Sequence, residues 1–311
     1  MEGKKIFITG GAGFIGSTIA DLFVAAGWEV AVLDDLSSGK RENVPPQARF
    51  YPCDARSSAA VEAVLKERPA VLCHQAAQID VRKSMADPRH DCDVNLGGLL
   101  NVMEAAAKAG SVRQVLFASS GGATYGDTEQ IPTREDHPAR PASHYGAAKA
   151  ASEIYLGVYA QNYGIRSAAL RYANVYGPRQ DPHGEAGVVA IFCGRLLKGL
   201  PCVINGDGRQ TRDYVFVGDV ARANLLAAER CFYGALNVGT GVETDVNRLY
   251  QMLAHPAGVL SPPSYGPAKV GEQKRSCVDP SAALSALGWK PEVALEDGLA
   301  RTLEYFRTRS S

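Results

Sequence analysis

The first half of the chain alternates between two hydrophobic rhythms. Residues 5–9, 29–33, 49–51, 70–74 and 115–118 are short runs rich in apolar and β-branched side chains, and their length predicts strands buried on both faces. Residues 14–26, closed by Gly27, and residues 92–109 carry apolar positions at helical spacing instead. Another helical stretch covers residues 145–163 and leads into a strand-like run at 165–173. Strands separated by helical patterns predict βαβ units, and so an α/β fold with a doubly wound parallel sheet covered on both faces.

The pattern changes after Ala173. Residues 174–187 are rich in proline, glycine and charge, and read as a loop able to cover a ligand. The spacing then predicts a helix at 188–197, a strand at 202–204, a loop at 206–212, a helix at 219–230, a strand at 235–238 and a closing helix from about Leu295. Residues 261–271, with three prolines and two glycines, are expected to be irregular. At about 150 residues per domain, a chain of 311 residues accommodates two. We expect a nucleotide-binding domain at 1–173 and a smaller mixed α/β substrate domain at 174–311, with segments near 215–240 returning to the first.

Composition narrows the function classes. Lys+Arg and Asp+Glu both total 33, a formal charge of zero, which argues against a nucleic-acid binder working by broad phosphate neutralisation. The most apolar run, residues 188–197, holds Gly194 and Arg195 and falls far short of the ~18 residues of a membrane span. The first residues run straight into strand-like sequence without a cleavable apolar segment. Seven cysteines are scattered without CxxC or Cys/His spacing, so no metal site is expected. The simplest class is a reduced, cytoplasmic enzyme with neither nucleic-acid nor membrane partner.

Glycines at 10, 13 and 16 stand where the first strand meets the first helix, in Thr9-Gly10-Gly11-Ala12-Gly13-Phe14-Ile15-Gly16. Gly10 permits the sharp turn, Gly13 lets a pyrophosphate approach the backbone, and Gly16 lets the helix sit close to the sheet. The helix start then offers N–H groups to phosphates. Alone, the triplet is equally a tight turn; its context points to a Rossmann-type dinucleotide site. The second strand ends in Asp34, 18 residues after Gly16, near the ~20 expected of an acid that binds a ribose 2′-hydroxyl. That carboxylate repels a 2′-phosphate, so NAD is expected over NADP, although Lys40 and Arg41 pull the other way. Asp54 is placed either to receive the adenine amino group or to cap a helix.

Tyr145-Gly-Ala-Ala-Lys149 supplies the chemistry. At i and i+4 on a helix the two side chains share a face. A tyrosine with pKa ~10 is a poor base at neutral pH, and a nearby ammonium favours its phenolate. The phenolate can then take a proton from a sugar hydroxyl while NAD accepts hydride from the same carbon. The strand-like run before it ends in Ser119 and Ser120, whose hydroxyls can orient the substrate oxygen.

Together with residues 74–77 (HisGlnAlaAla), 119–126 (SerSerGlyGlyAlaThrTyrGly), 171–178 and 206–217, and as far as Leu287-Gly288-Trp289, these motifs resemble the extended short-chain dehydrogenase/reductase family almost end to end. Within it the chain is most similar to the UDP-glucose 4-epimerases, where NAD stays bound and a 4-keto sugar turns over before hydride returns to its other face. The resemblance implies Tyr145 as base and then acid, and Lys149 holding the nicotinamide ribose. Besides the glycines, Tyr145 and Lys149, it implies cofactor contacts at Phe14, Ile15, Asp34, Asp35, Leu36, Ser37, Ser38, Gly39, Asp54, Ala55, Ala76, Ala77, Asn95 and Ala173. It implies that Asn174, Val188, Val203, Ile204, Asn205 and Arg212 hold the UDP-sugar, with a surface pair between Arg212 and Asp213 as the alternative for that arginine. It also implies a homodimer, with Tyr155 and Tyr159 on its face.

Three departures qualify it. Gly121 occupies the position where the family carries its catalytic Ser or Thr, so Ser120 is expected to supply the hydroxyl, ahead of Ser119 or Thr124. An Arg-x-x-Asp element of the nucleotide pocket is matched by Lys269-Val-Gly-Glu272. Ser276 falls where some members carry a bulky tyrosine, which leaves room for a 2-acetamido group. The rival readings are a uronate epimerase, a decarboxylase, a 4,6-dehydratase and a non-catalytic NAD-sensing module. The dehydratase lacks support because Gly121-Gly122 offers no carboxylate, and a sensor has no need of Tyr145 and Lys149. His74 is expected to be structural.

Overall fold

A computed structural model of the chain describes residues 4–182, 187–268 and 273–309. Strands β1 (Lys5–Thr9), β2 (Glu29–Asp34), β3 (Arg49–Pro52), β4 (Val71–His74), β5 (Gln114–Ser120), β6 (Arg166–Tyr172) and β7 (Gly234–Val238) form one parallel sheet in the order β3-β2-β1-β4-β5-β6-β7. Successive side chains on its central strands are all buried, as in Ile6, Phe7 and Ile8 or Val115, Leu116 and Phe117, because both faces are covered by helices. Helices Phe14–Ala25 and Val217–Glu229 pack on one face. Helices Ser58–Glu67, Gly98–Ala109 and His144–Tyr163 pack on the other. Strand order turns back between β1 and β4, which opens a crevice beyond their carboxyl ends, where open α/β sheets bind ligands.

The second half has its own apolar cluster, built on Tyr176, Phe192, Leu249 and Leu303. It surrounds a small sheet centred on Thr211–Phe216, flanked by Asn174–Tyr176, Glu243–Asp245 and Arg275–Ser276. Val203–Asn205 pairs separately with Ser264–Gly266.

Three local expectations change. Asn174–Tyr176 is a strand rather than the start of a loop, because its partner Tyr214–Phe216 lies far along the chain. Ser264–Gly266 is likewise pulled out of an irregular segment by Val203–Asn205. The predicted helix over 92–109 is interrupted by a π-turn at Asp93–Gly97. Such turns insert one residue and re-aim a side chain. Here it is Asn95, whose amide brackets Gln78 by accepting from its N–H at 2.9 Å and donating to its carbonyl at 3.0 Å.

Candidate active site

Residues that matter converge at the carboxyl ends of β1, β2, β4, β5 and β6. After β1, Gly10 adopts φ +68°, a left-handed conformation that glycine adopts without a Cβ penalty. A Cβ on it would also lie 2.6 Å from the Ala76 nitrogen, and one on Gly16 would collide with the Gly10 carbonyl. Gly13 precedes the helix Phe14–Ala25 with no side-chain cap, so the first N–H groups of that helix have no intrahelical acceptor. Gly13 N–H already donates to the Gly10 carbonyl at 3.2 Å, so the N–H groups of Phe14, Ile15 and Gly16 are the open ones, a cradle of a shape that fits a pyrophosphate.

Asp34 ends β2 and is 6% exposed. Its Oδ2 accepts from the Ala12 N–H at 2.9 Å and its Oδ1 from the Leu36 N–H at 2.8 Å. Burial pushes its carboxyl above the usual range against these bonds. Each oxygen keeps a lone pair for a ribose diol. Gly39 lies against this carboxylate, since a Cβ there would come within 2.7 Å of Oδ1. Asp35 accepts from Ser37, and the exposed Ser38 completes the loop. Arg41 stacks on Phe50 at 4.7 Å. Asp54 does not cap the next helix; Ser57 does, through Ala60 N–H. Asp54 is instead gripped by Arg56 at 2.5 Å, which holds its carboxyl below the usual range. It stays an anionic acceptor suited to an amino group, with Ala55 beside it.

The catalytic elements meet beyond β5. Ser143 caps the helix His144–Tyr163 through Gly146 N–H at 3.2 Å, which places Tyr145 and Lys149 in its first two turns. The Ser120 hydroxyl accepts from Ala123 N–H at 3.3 Å and lies close enough to the Tyr145 phenol to oppose the rise in its pKa. Ser119 points the other way, as strand alternation requires, and donates to Glu153 at 2.6 Å. Glu153 in turn pairs with Arg171 at 2.6 Å. Geometry thus brings Ser120, rather than Ser119, to the tyrosine. Thr124 is fully buried with its hydroxyl unpartnered.

Lys149 is 2% exposed, and its Nζ lies 4.9 Å from the Phe117 ring centre and 5.7 Å from that of Tyr145. Burial pulls its amine down to about 8, with the carboxylates of Asp91 and Glu153 opposing. Burial also pushes the Tyr145 phenol up to about 12, helped by Asp91 and opposed by Ser120. Tyr145 is therefore raised in the protein alone, against the expectation that a nearby ammonium dominates. A cation beside the phenol is what would bring it back. His74 shares a hydrogen bond with Thr9 Oγ1 at 2.9 Å and stacks on Phe117. Burial, then Lys149, pushes it down to about 3, so it stays neutral.

On the sugar side, a Cβ at Gly121 would lie 2.7 Å from Val278 Cγ1, and one at Gly122 would lie 3.0 Å from Ser276 Oγ. Gln273 borders the same space and donates to the Gly126 carbonyl at 2.7 Å. Arg212 donates to the Thr211 carbonyl at 2.8 Å. Asp213, the acid next to it, is buried and receives Thr240 N–H at 2.8 Å and its hydroxyl at 2.6 Å. Ala173 hydrogen-bonds to the Val238 carbonyl, Asn174 opens the strand beside Tyr214, and Val188 begins the helix Val188–Leu197. Ile204 is buried between the half-exposed Val203 and Asn205. Ala76 and Ala77 follow β4, with Ala76 N–H donating to Thr9 Oγ1 at 3.3 Å. Lys269 and Glu272 lie outside the described residues.

Sequence reasoning missed Asp91 and Arg56. The i, i+4 spacing of Asp91 and Asn95 was the available signal, since both side chains then share a helical face.

A family model described as the NAD dependent epimerase/dehydratase family matches residues 6–239. The chain belongs to that family. A UDP-glucose 4-epimerase of Mycolicibacterium smegmatis is 45% identical over 312 residues, covering 98% of this chain and 99% of that protein. A crystal structure of the UDP-glucose 4-epimerase of Thermotoga maritima with UDP-glucose superposes with TM-score 0.95 at 45% identity, covering 99% and 100% of the two chains. The Thermus thermophilus UDP-glucose 4-epimerase, in complex with NAD, superposes with TM-score 0.92 at 46% identity, covering 97% and 99%. This family member therefore matches such epimerases in both halves, not in the nucleotide-binding half alone.

Proposed function

We propose that this protein is an NAD-dependent 4-epimerase of UDP-hexoses that interconverts UDP-glucose and UDP-galactose. The observation that carries the reading is the Tyr145–Lys149 pair, its lysine buried and Ser120 close to its phenol, beside an uncapped helix start fitted to pyrophosphate. The relatives and neighbours that bind UDP-glucose or NAD support it over their full length. When bound, NAD supplies the hydride acceptor at C4 and the donor on return. Tyr145 takes the O4 proton and later gives it back. Ser120 orients that oxygen, and the Lys149 ammonium stabilises the phenolate. The Arg212 fork suits the diphosphate oxygens. Two halves follow, one for the cofactor up to Ala173 and one for the sugar nucleotide from Asn174, with β7 in the first sheet.

The small Ser276 beside Gly122 leaves volume for a 2-acetamido group, so UDP-N-acetylhexosamines are accepted as well. No carboxylate stands at Gly121-Gly122 for water elimination. For the assembly we propose a homodimer with a second copy docked on the helix His144–Tyr163, whose Ile154, Tyr155 and Val158 are exposed together. Tyr159 contributes less to that face, since it packs partly on the core and against Tyr163. No described helix is long and apolar enough to cross a membrane. None of the seven cysteines is in a disulfide, which fits a reducing compartment such as the cytoplasm.

NMR of UDP-glucose, UDP-N-acetylglucosamine and UDP-glucuronate incubated with the protein tests the reading. The 4-epimers of the first two should form with no net change at 340 nm. Absence of UDP-galactose would overturn the activity. Turnover of the acetamido substrate more than about 10³-fold below that of UDP-glucose would overturn only the role of Ser276.

A further inference from the structure

Asp91 lies on the short helix Pro88–Cys92, which packs against the helix His144–Tyr163. It is 1% exposed. Its Oδ1 receives Gln78 Nε2 at 2.9 Å and Asn95 Nδ2 at 3.0 Å. Its Oδ2 is buried with no hydrogen-bond partner. A carboxylate oxygen in that position is costly unless a nearby charge compensates it.

The groups around it narrow the choice of partner. Asp87, Arg89 and His90 on its own helix are exposed, as are Arg82 and Lys83 on the neighbouring helix Val81–Ala86. Asp93 in the π-turn is exposed and paired with Arg56 at 2.6 Å. From β4 comes only the neutral His74, and from β5 the hydroxyls of Ser119 and Ser120. On the facing helix stand Tyr145, Lys149 and Glu153. Glu153 is already matched by Arg171. That leaves the ammonium of Lys149, itself 2% exposed.

We propose that Asp91 is the buried counter-charge of Lys149 and acts through it as a positioning residue for the Tyr145–Lys149 pair. One oxygen is fastened to Asn95 and Gln78, so the carboxylate cannot swing away. The other has no hydrogen-bond partner, and the helix packed against it carries the ammonium. The catalytic consequence rests on the epimerase reading; the charge pairing does not. A negative charge beside both groups strengthens the hold of each on its proton, in keeping with the direction in which Asp91 acts on Tyr145 and on Lys149. Removing it should weaken both holds together.

Asp91→Asn keeps the shape and an acceptor for Gln78 and Asn95 but removes the charge. The expected result is a kcat–pH profile moved bodily to lower pH by about one unit, with NAD still bound, and restored in position by Asp91→Glu. A profile that stays in place while kcat or stability falls would overturn the proposal, because a purely structural role lowers the curve without moving it. A second measurement needs no turnover. NMR of the lysine side-chain amine should show the Lys149 pKa lower by about one unit in Asp91→Asn than in the unaltered protein, and restored in Asp91→Glu. An unchanged value there overturns the pairing, whatever the protein's activity proves to be.

Discussion

The cradle at the end of β1 and the pocket at the end of β5 are built by different means, and each suits its proposed ligand accordingly. The cradle is built by excluding side chains: Gly10, Gly13 and Gly16 leave the backbone open to approach, and the helix start beside them offers N–H groups. The pocket is built by enclosing side chains, with Lys149 and Asp91 taken out of water and Tyr145 half-buried beside them, so that the charges of Tyr145 and Lys149 depend on their neighbours. One fails sterically and the other electrostatically. Substitutions in the first should therefore act alike at every pH. In the second they should act through the pH profile.

The largest expected effect separates the two most sharply. Tyr145→Phe should lower turnover by about 10³-fold while NAD, measured by its absorbance in the purified protein, remains bound. Unaltered turnover would falsify the acid/base role. Ser120→Ala should follow, with kcat reduced about 10²-fold and KM for the UDP-sugar changed less, as steady-state kinetics would show. Gly16→Ala belongs to the cradle, where its methyl meets the Gly10 carbonyl. Overpacking of this kind costs about 1–3 kcal/mol, visible as weaker NAD retention that does not vary between pH 6 and 9 on a scale of about one unit.

A subtler effect concerns pH itself. Lys149 is charged below a pKa near 8, which burial has lowered from 10.5. Activity of the unaltered protein should decline as pH rises through that value, whereas an unperturbed lysine would hold it past pH ~10. The sign for stability is opposite. The folded state favours the neutral amine, so the charging penalty is full below pH 8 and fades as pH rises toward 10.5. Thermal melts of the protein against Lys149→Met would read this. Smallest of all, Ser119→Ala removes only its bond to Glu153. It should cost about 1 kcal/mol of stability and leave kcat nearly unaltered, unlike its neighbour Ser120.

The same division explains what could be read from the amino-acid sequence. The cradle was legible because its determinants sit close together: Gly10 to Gly16, then Asp34 one strand later. The Tyr145–Lys149 pair was legible for the same reason, one helical turn apart. What escaped depends on residues far apart in the chain. Asn174–Tyr176 became a strand through Tyr214–Phe216, and Ser264–Gly266 through Val203–Asn205. The raised phenol of Tyr145 follows from burial and from Asp91, which no spacing around Tyr145 announces. Along the chain only the missing side chain of Gly121 favours Ser120 over Ser119, whereas strand direction turns the Ser119 hydroxyl to Glu153 and leaves that of Ser120 near the phenol.

Gly121 carries a consequence for how such a sequence can change over generations. Its missing side chain is matched by Val278, whose methyl fills the place a Cβ would take, and whose own backbone bridges to Thr133. A lineage moving its hydroxyl from position 120 to 121 cannot do so in one step. Val278 must shrink first or alongside, so the two positions travel as a single inherited character. Gly121→Ser should be tolerated only with Val278→Ala beside it.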